Sequence, residues 1–208
     1  LSIPFYRPAR PDKAWEWAVR QTRGRAHAGE YTKGPQRKAL IEELASFLGV
    51  SQERVVTVGS GCAALAVAAR SALDFYRVGD HALNMVIPGF GYRGTHISMR
   101  MGGWNPIQED VDRGTWCLAK NAGRAPVTCA VDIFGNVAGA YANSIIDSAH
   151  SLATAGSRPR RGWVECFSLA ASKLITGGEG GVILVNRSEL LESVTATAGY
   201  FSRLDEFS

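Results

Sequence analysis

The chain has 208 residues, 46% of them hydrophobic and 20% charged, and a formal net charge of +4. That balance is ordinary for a globular domain with a buried core, and it excludes a highly charged disordered chain. No apolar run reaches the roughly 18 residues of a membrane span, and the N-terminal stretch LSIPFYRPARPDKAW has no apolar signal core. A soluble, cytoplasmic protein without a membrane partner is expected.

The elements come in chain order. Prolines and charges fill the first 30 residues, and a short amphipathic stretch predicts a helix over 14–22. After the Lys33-Gly34-Pro35 turn, Leu40, Ile41, Leu44, Phe47 and Leu48 recur at helical spacing and predict a helix stopped at Gly49. Arg54 to Val58 reads as a strand, Gly59-Ser60-Gly61 as a turn, and CAALAVAARSALDFY as an alanine-rich helix. Met85–Ile87 predicts a strand ending at Pro88-Gly89, Gly91–Met101 a helix, Pro106–Gln108 a strand, and Thr115–Asn121 a short helix. Val127–Phe134, Ile145–Ile146, Trp163–Leu169 and Gly181–Val185 read as further strands, and Ser188–Ala198 as a helix. Strands alternating with helices predict an α/β fold with a mainly parallel sheet. Polar and glycine residues cluster just after the strands, at Ser60-Gly61, Gly89 to Tyr92, Asp147 and Ser168. Ligands bind beyond the C-terminal strand ends in such sheets, so these segments are expected to share one site.

Charge and cysteines narrow the chemistry. The mild positive excess favours anionic partners such as phosphorylated small molecules. The basic cluster Arg158, Arg160 and Arg161 reads as a solvated loop, and no helix-turn-helix, zinc-finger or RNP pattern is present, so no nucleic-acid partner is expected. Cys62, Cys117, Cys129 and Cys166 form no CxxC pair and lack metal-ligand spacing. Reduced, mostly buried thiols and no metal are expected.

One stretch raises a sharper question. In SLAASKLITGGEGG, Lys173 sits among small and apolar residues, with glycines directly behind it. A phosphate-binding P-loop needs its glycines before the lysine and Ser or Thr after it, so that reading fails. An exposed lysine is the plain alternative. A lysine in apolar surroundings instead loses hydration, which favours the neutral amine as a nucleophile or Schiff-base former. A Schiff-base lysine suggests pyridoxal phosphate. That cofactor needs phosphate donors, a carboxylate for its pyridine nitrogen and a flat group against its ring.

The sequence offers a candidate for each. The strand-to-helix turn Gly59-Ser60-Gly61-Cys62-Ala63-Ala64-Leu65 suits a phosphate through its amides and positive helix end, although glycine turns before helices are common. Asp147, after Ile145-Ile146, would meet the ring nitrogen or else cap a helix. Tyr92 would stack on the ring or else fill core. Ser168 would bind phosphate, or serve one of the many other uses of a serine at a strand end.

The ordered stretches GSGCAAL, IPGFGYRGT, IIDSAHS and FSLAASKLITGGEGG, with YTKGPQRKALIEELASFLGV before them, resemble the DegT/StrS-type sugar aminotransferases over about residues 28–199. The resemblance implies the three-layer α/β/α large domain of pyridoxal-phosphate fold type I, with 1–208 as one cofactor-binding domain. An N-terminal helical segment would cover about 10–50, and the C-terminal small domain would be largely absent. It further implies that Lys173 forms the internal aldimine, Asp147 pairs with the pyridinium nitrogen, and His150 sits near the ring hydroxyl. Ser168 would bind phosphate with the Gly61, Cys62 and Ala63 amides, and Tyr92 would stack on the ring. Glu179 occupies a motif position to which no role attaches. Cys62 stands where the family usually has Thr or Ser, and a thiol is the weaker donor. The implied reaction moves an amino group from glutamate or glutamine to a keto-sugar linked to a nucleotide, in a homodimer, for cell-surface polysaccharide biosynthesis. The alternative is a shortened pyridoxal-phosphate-fold protein that binds cofactor or a partner without turnover.

Overall fold

The computed structural model describes residues 16, 19–20, 34–76, 83–119, 125–139 and 141–201. The helix expected over 14–22 falls largely outside them. The first described element is α1 (Pro35–Leu48). Proline at its first turn costs no helical hydrogen bond. Gly49 ends it in the left-handed conformation, with Val50 N–H returning to Ala45 O at 3.0 Å. Leu44, Ala45 and Leu48 are buried, whereas Phe47, expected on that face, is 44% exposed.

Seven strands form one sheet: β1 (Val55–Val58), β2 (Asn84–Pro88), β3 (Asn105–Glu109), β4 (Val127–Val131), β5 (Ser144–Asp147), β6 (Val164–Ser168) and β7 (Gly181–Val185), in the order β1-β7-β6-β5-β4-β2-β3. Pairs from β3 through β6 are parallel; β7 runs antiparallel to both β6 and β1. β1 therefore points the same way as β2 to β6. Their C-terminal ends, and the N-terminal end of β7, meet at one edge.

The remaining helices are α2 (Gly61–Tyr76), α3 (Arg93–Met101), the single turn α4 (Leu152–Ala155) and α5 (Leu191–Phe201). Alternate strand residues point to opposite faces. Ile183 and Val185 pack with Val58, Ile145 and Cys166 under α2, Met99 of α3, and Val194 and Ala198 of α5. Val182 and Leu184 pack on the other face with Phe167, the α1 residues Leu44 and Leu48, and Leu152 and Ala155 of α4. The result is three layers. Alanines let α2 lie close to its neighbours: Ala64, Ala68, Ala69 and Ala72 are fully buried, and a Cβ on Gly102 would come within 2.4 Å of Ala69 Cβ.

Three sequence expectations need correction. Thr115 to Ala119 is not helical. Asp112 Oδ1 accepts from the Gly114 and Thr115 N–H groups at 3.0 and 2.9 Å, and Val111 bridges Leu118, so the segment is a turn. Lys120 and Asn121 lie outside the described residues. The strand expected over 127–134 stops at Val131, because beyond the Asp132 N–H bond to Asp147 O at 2.9 Å the chain turns into a 3-10 turn over Ile133–Gly135.

The basic cluster is no solvated loop. Arg161 is buried and forks onto Asp132 at 3.0 and 2.6 Å. Arg158 reaches Glu165 at 2.9 Å and Asp132 at 3.4 Å, with both carboxylates fully buried. Two buried carboxylates and two guanidiniums neutralise one another, which is why these arginines turn inward. Burial opposes ionisation of Asp132, but Arg161 and the Ser151 hydroxyl outweigh it and hold the carboxyl below its usual range. Arg161→Met leaves Asp132 only the longer 3.4 Å contact with Arg158 and is expected to cost about 3–5 kcal/mol in urea denaturation. Removing the exposed Arg70–Asp74 pair by Arg70→Ala should cost under about 1 kcal/mol. Equal effects of the two changes would contradict the buried-network account.

Candidate active site

A cleft of about 570 Å³ opens at the C-terminal strand edge. Gly61, Cys62, Tyr92, Asp147, His150, Ser168 and Lys173 line it, though they come from four segments of the chain. Ala63 does not. Its N–H donates to Ser60 Oγ at 3.1 Å, so the side chain that caps α2 already uses the amide expected to face a phosphate. Gly61 and Cys62 belong to the first helical turn, whose N–H groups have no intrahelical acceptor.

Close packing builds the corner around that turn. A Cβ on Gly61 would lie 2.8 Å from Ser168 Cβ, and one on Gly181 would lie 2.2 Å from Ser60 O. Only glycines let the turn, the end of β6 and the start of β7 approach this closely. Ser168 Oγ accepts from Ala170 N–H at 3.3 Å, which leaves its hydroxyl hydrogen free to donate. A hydroxyl and a helix N-terminus thus share one corner. Gly61→Ala forces Ser168 away, and is expected to destabilise the chain by roughly 1–3 kcal/mol and to weaken phosphate-ester binding at this corner. Thermal melts with and without pyridoxal phosphate measure both effects; an unchanged melt would show that the corner is not tightly packed.

Lys173 follows the turn after β6, its N–H donating to Ala170 O at 2.9 Å. Its side chain is half-buried and faces the cleft, unlike the exposed lysine of the plain reading. Burial pushes its ammonium below the ordinary lysine range, and the Asp147 carboxylate offsets only part of that.

Asp147 is 4% exposed at the end of β5. The Thr95 hydroxyl donates to Oδ2 at 2.6 Å and Ala149 N–H to Oδ1 at 3.1 Å. No cation pairs with it within salt-bridge distance among the described residues. Burial therefore wins and raises its carboxyl above the usual value, against the lowering pull of Thr95, Ala149, His150 and Lys173. A buried carboxylate without a cation suits a ligand that brings one. Thr95 went unread in the sequence. Its position three residues after Tyr92, in the first turn of α3, was the available signal.

His150 accepts at Nδ1 from Phe134 N–H at 3.1 Å. Burial and the positive charge of Lys173 disfavour its protonation. Tyr92 is 67% exposed rather than core, and its ring lies within 2.3 Å of where a Cβ on Gly94 would stand. Glu179 also lines the cleft, as do Phe90, Phe134 and Asp132, which sequence reasoning did not single out as site residues. Cys117, Cys129 and Cys166 are buried and Cys62 is exposed, all as free thiols. Among the described residues no His, Cys, Asp and Glu cluster could hold a metal ion, and no helix is long and apolar enough to cross a membrane.

A family model described as the DegT/DnrJ/EryC1/StrS aminotransferase family matches residues 16–200. No curated protein sequence matches the chain. Among solved structures, Helicobacter pylori PseC, an aminotransferase involved in the biosynthesis of pseudoaminic acid, superposes with a TM-score of 0.81 at 19% identity, covering 100% of this chain and 63% of its own. The sugar aminotransferase CalS13 from Micromonospora echinospora gives 0.78 at 19% identity, over 99% of this chain and 65% of its own. DesI, solved in the presence of its TDP-sugar product, gives 0.76 at 22% identity, over 97% of this chain and 57% of its own. The chain therefore spans less than two thirds of the length of these structures, and at such identities their likeness concerns the fold.

Proposed function

Since the chain belongs to the DegT/DnrJ/EryC1/StrS aminotransferase family, we propose that it binds pyridoxal phosphate in the cleft and transfers an amino group to a keto-sugar. The observation that carries this reading is the pairing of Lys173, its ammonium disfavoured by burial, with a buried Asp147 that lacks a cation, in one cleft. The residues fit the cofactor on their own chemistry: a carboxylate awaits a positive ring nitrogen, and a helix end and a free hydroxyl suit a phosphate. Pyridoxal phosphate, when bound, supplies an aldehyde for amines and a protonated ring that draws electrons from the neighbouring carbon.

The chain's own residues then have distinct tasks. Ser168 Oγ and the Gly61 and Cys62 amides hold the phosphate. Asp147 keeps a proton on the ring nitrogen, and Thr95, fixed on Oδ2, orients that carboxylate. Tyr92 covers the ring face. Lys173 Nζ would hold the cofactor through its amine and would accept and return a proton there as a general base and acid. Burial favours the neutral amine, the form that attacks an aldehyde and accepts a proton.

The donor in this reading is glutamate or glutamine, and the acceptor is a nucleotide-linked keto-sugar. The chain's net positive charge suits such an anion. The reading also includes a cytoplasmic homodimer. Incubating cofactor-loaded protein with glutamate or glutamine alone tests the first half of the transfer. Conversion of the cofactor from its aldehyde to its amine form supports the reading. Retention of the aldehyde form with every donor would favour cofactor binding without turnover.

A further inference from the structure

Only two non-glycine residues adopt positive φ among the described residues, Trp116 and Phe134. Phe134 sits at φ 54, ψ 23, in the middle of the 3-10 turn that follows β4. Side chains other than Gly and Asn avoid this conformation, so something must hold it.

The turn is tied at both ends. Asp132 N–H donates to Asp147 O at 2.9 Å, while Asp132 Oδ1 takes Ala138 N–H at 2.9 Å and the Arg161 guanidinium at 3.0 Å. Between these anchors, Asn136 Nδ2 donates to Thr115 O at 2.9 Å. The left-handed backbone then aims Phe134 N–H at His150 Nδ1, and the Phe134 ring stacks on the imidazole at 6.2 Å and 10°.

We infer that the Phe134 backbone, anchored through Asp132, is a positioning element that locks His150 in its Nε2–H tautomer and so presents a hydrogen-bond donor to the cleft. A backbone N–H can only donate, so the Nδ1 that receives it carries no proton. A neutral imidazole then carries its proton on Nε2. Nε2 has no partner among the described residues and is left for a ligand. The titratable groups that face His150 are Lys173 and Asp147; burial and Lys173 favour the neutral ring and outweigh the opposite pull of Asp147. What the donor meets rests on the pyridoxal phosphate reading, in which it is the ring oxygen of the cofactor.

The test separates the backbone from the ring. Glycine adopts the left-handed conformation freely, whereas β-branched valine resists it, and both remove the stacked ring. Long-range 1H–15N correlation spectra of cofactor-free protein, with the His150 signals assigned by their loss in His150→Gln, identify the tautomer. The wild type and Phe134→Gly are expected to show an unprotonated Nδ1 and a protonated Nε2, and Phe134→Val to lose that preference. An Nδ1–H or mixed tautomer in the wild type would overturn the inference. So would loss of the preference in Phe134→Gly, which would assign it to the ring, or its retention in Phe134→Val. If the valine variant does not fold, the wild type and the glycine variant decide alone. Because the spectra need no cofactor, a failure here leaves the pyridoxal phosphate reading standing. Equally, protein that takes up no cofactor leaves the tautomer result intact.

Discussion

Lys173→Ala is expected to remove the yellow absorbance of the cofactor-loaded protein and to lower amino transfer by at least about 10³-fold, since general acid–base catalysis alone is worth roughly 10²–10⁴. The folded state should survive, because Lys173 is half-buried at the cleft rather than in either core. A small primary amine added to the variant should restore part of the proton transfer. The same lysine should show its environment in the intact protein. Burial disfavours its ammonium, so an amine-directed reagent should label it with a midpoint below the roughly 10.4 of an ordinary lysine. A midpoint at the ordinary value, or wild-type turnover in the alanine variant, would remove Lys173 from the centre of the site.

Asp147→Asn should move stability and binding in opposite directions. In the cofactor-free chain Asp147 is a buried carboxylate without a cation, and its carboxyl is raised. A raised carboxyl means that the folded state holds its proton more tightly than the unfolded state does. Stability is then lost as pH rises through the folded value. Removing the charge should therefore stabilise the cofactor-free protein at neutral pH by on the order of 1 kcal/mol, about 2–4 °C for a chain of this size. The gain should vanish below about pH 4, where the carboxyl is protonated in both states. Cofactor affinity should fall about 10- to 100-fold, the worth of one hydrogen bond to a charged group. Calorimetry and a cofactor titration measure the two effects. A destabilised apo-protein with unchanged affinity would mean that Asp147 is a structural carboxylate.

The outline of the fold was legible because its signals are local. Short apolar runs gave the strands, and Gly49 and the alanine pattern of α2 gave helices close to their observed bounds. The candidate site was legible for a related reason. A strand end, a glycine turn and a lysine in an apolar setting each mark themselves in a few residues, and the parallel sheet brings such ends to one edge. Contacts between segments left no such mark. Arg161 and Asp132 are 29 residues apart, and nothing near either announces a buried pair. The basic cluster therefore read as solvated.

Backbone geometry was hidden for the same reason. Phe134 looks like a strand residue, and only the anchors on Asp132 and Asn136 force it into the left-handed region. Asp112 supplies the turn that replaces the helix expected from Thr115, through hydrogen bonds that no helical pattern encodes. The Ala63 amide was expected to be free for a phosphate because serine caps are common and silent. Ser60 is one of them.

The central claim is that Lys173 is the amine that holds pyridoxal phosphate in this cleft. Borohydride reduction of cofactor-treated protein, followed by peptide mass mapping, tests it most directly. A phosphopyridoxyl group on the peptide containing Lys173, and on no other, is the predicted result. A protein that takes up no label, or one labelled at Lys13, Lys33, Lys38 or Lys120 instead, would contradict it.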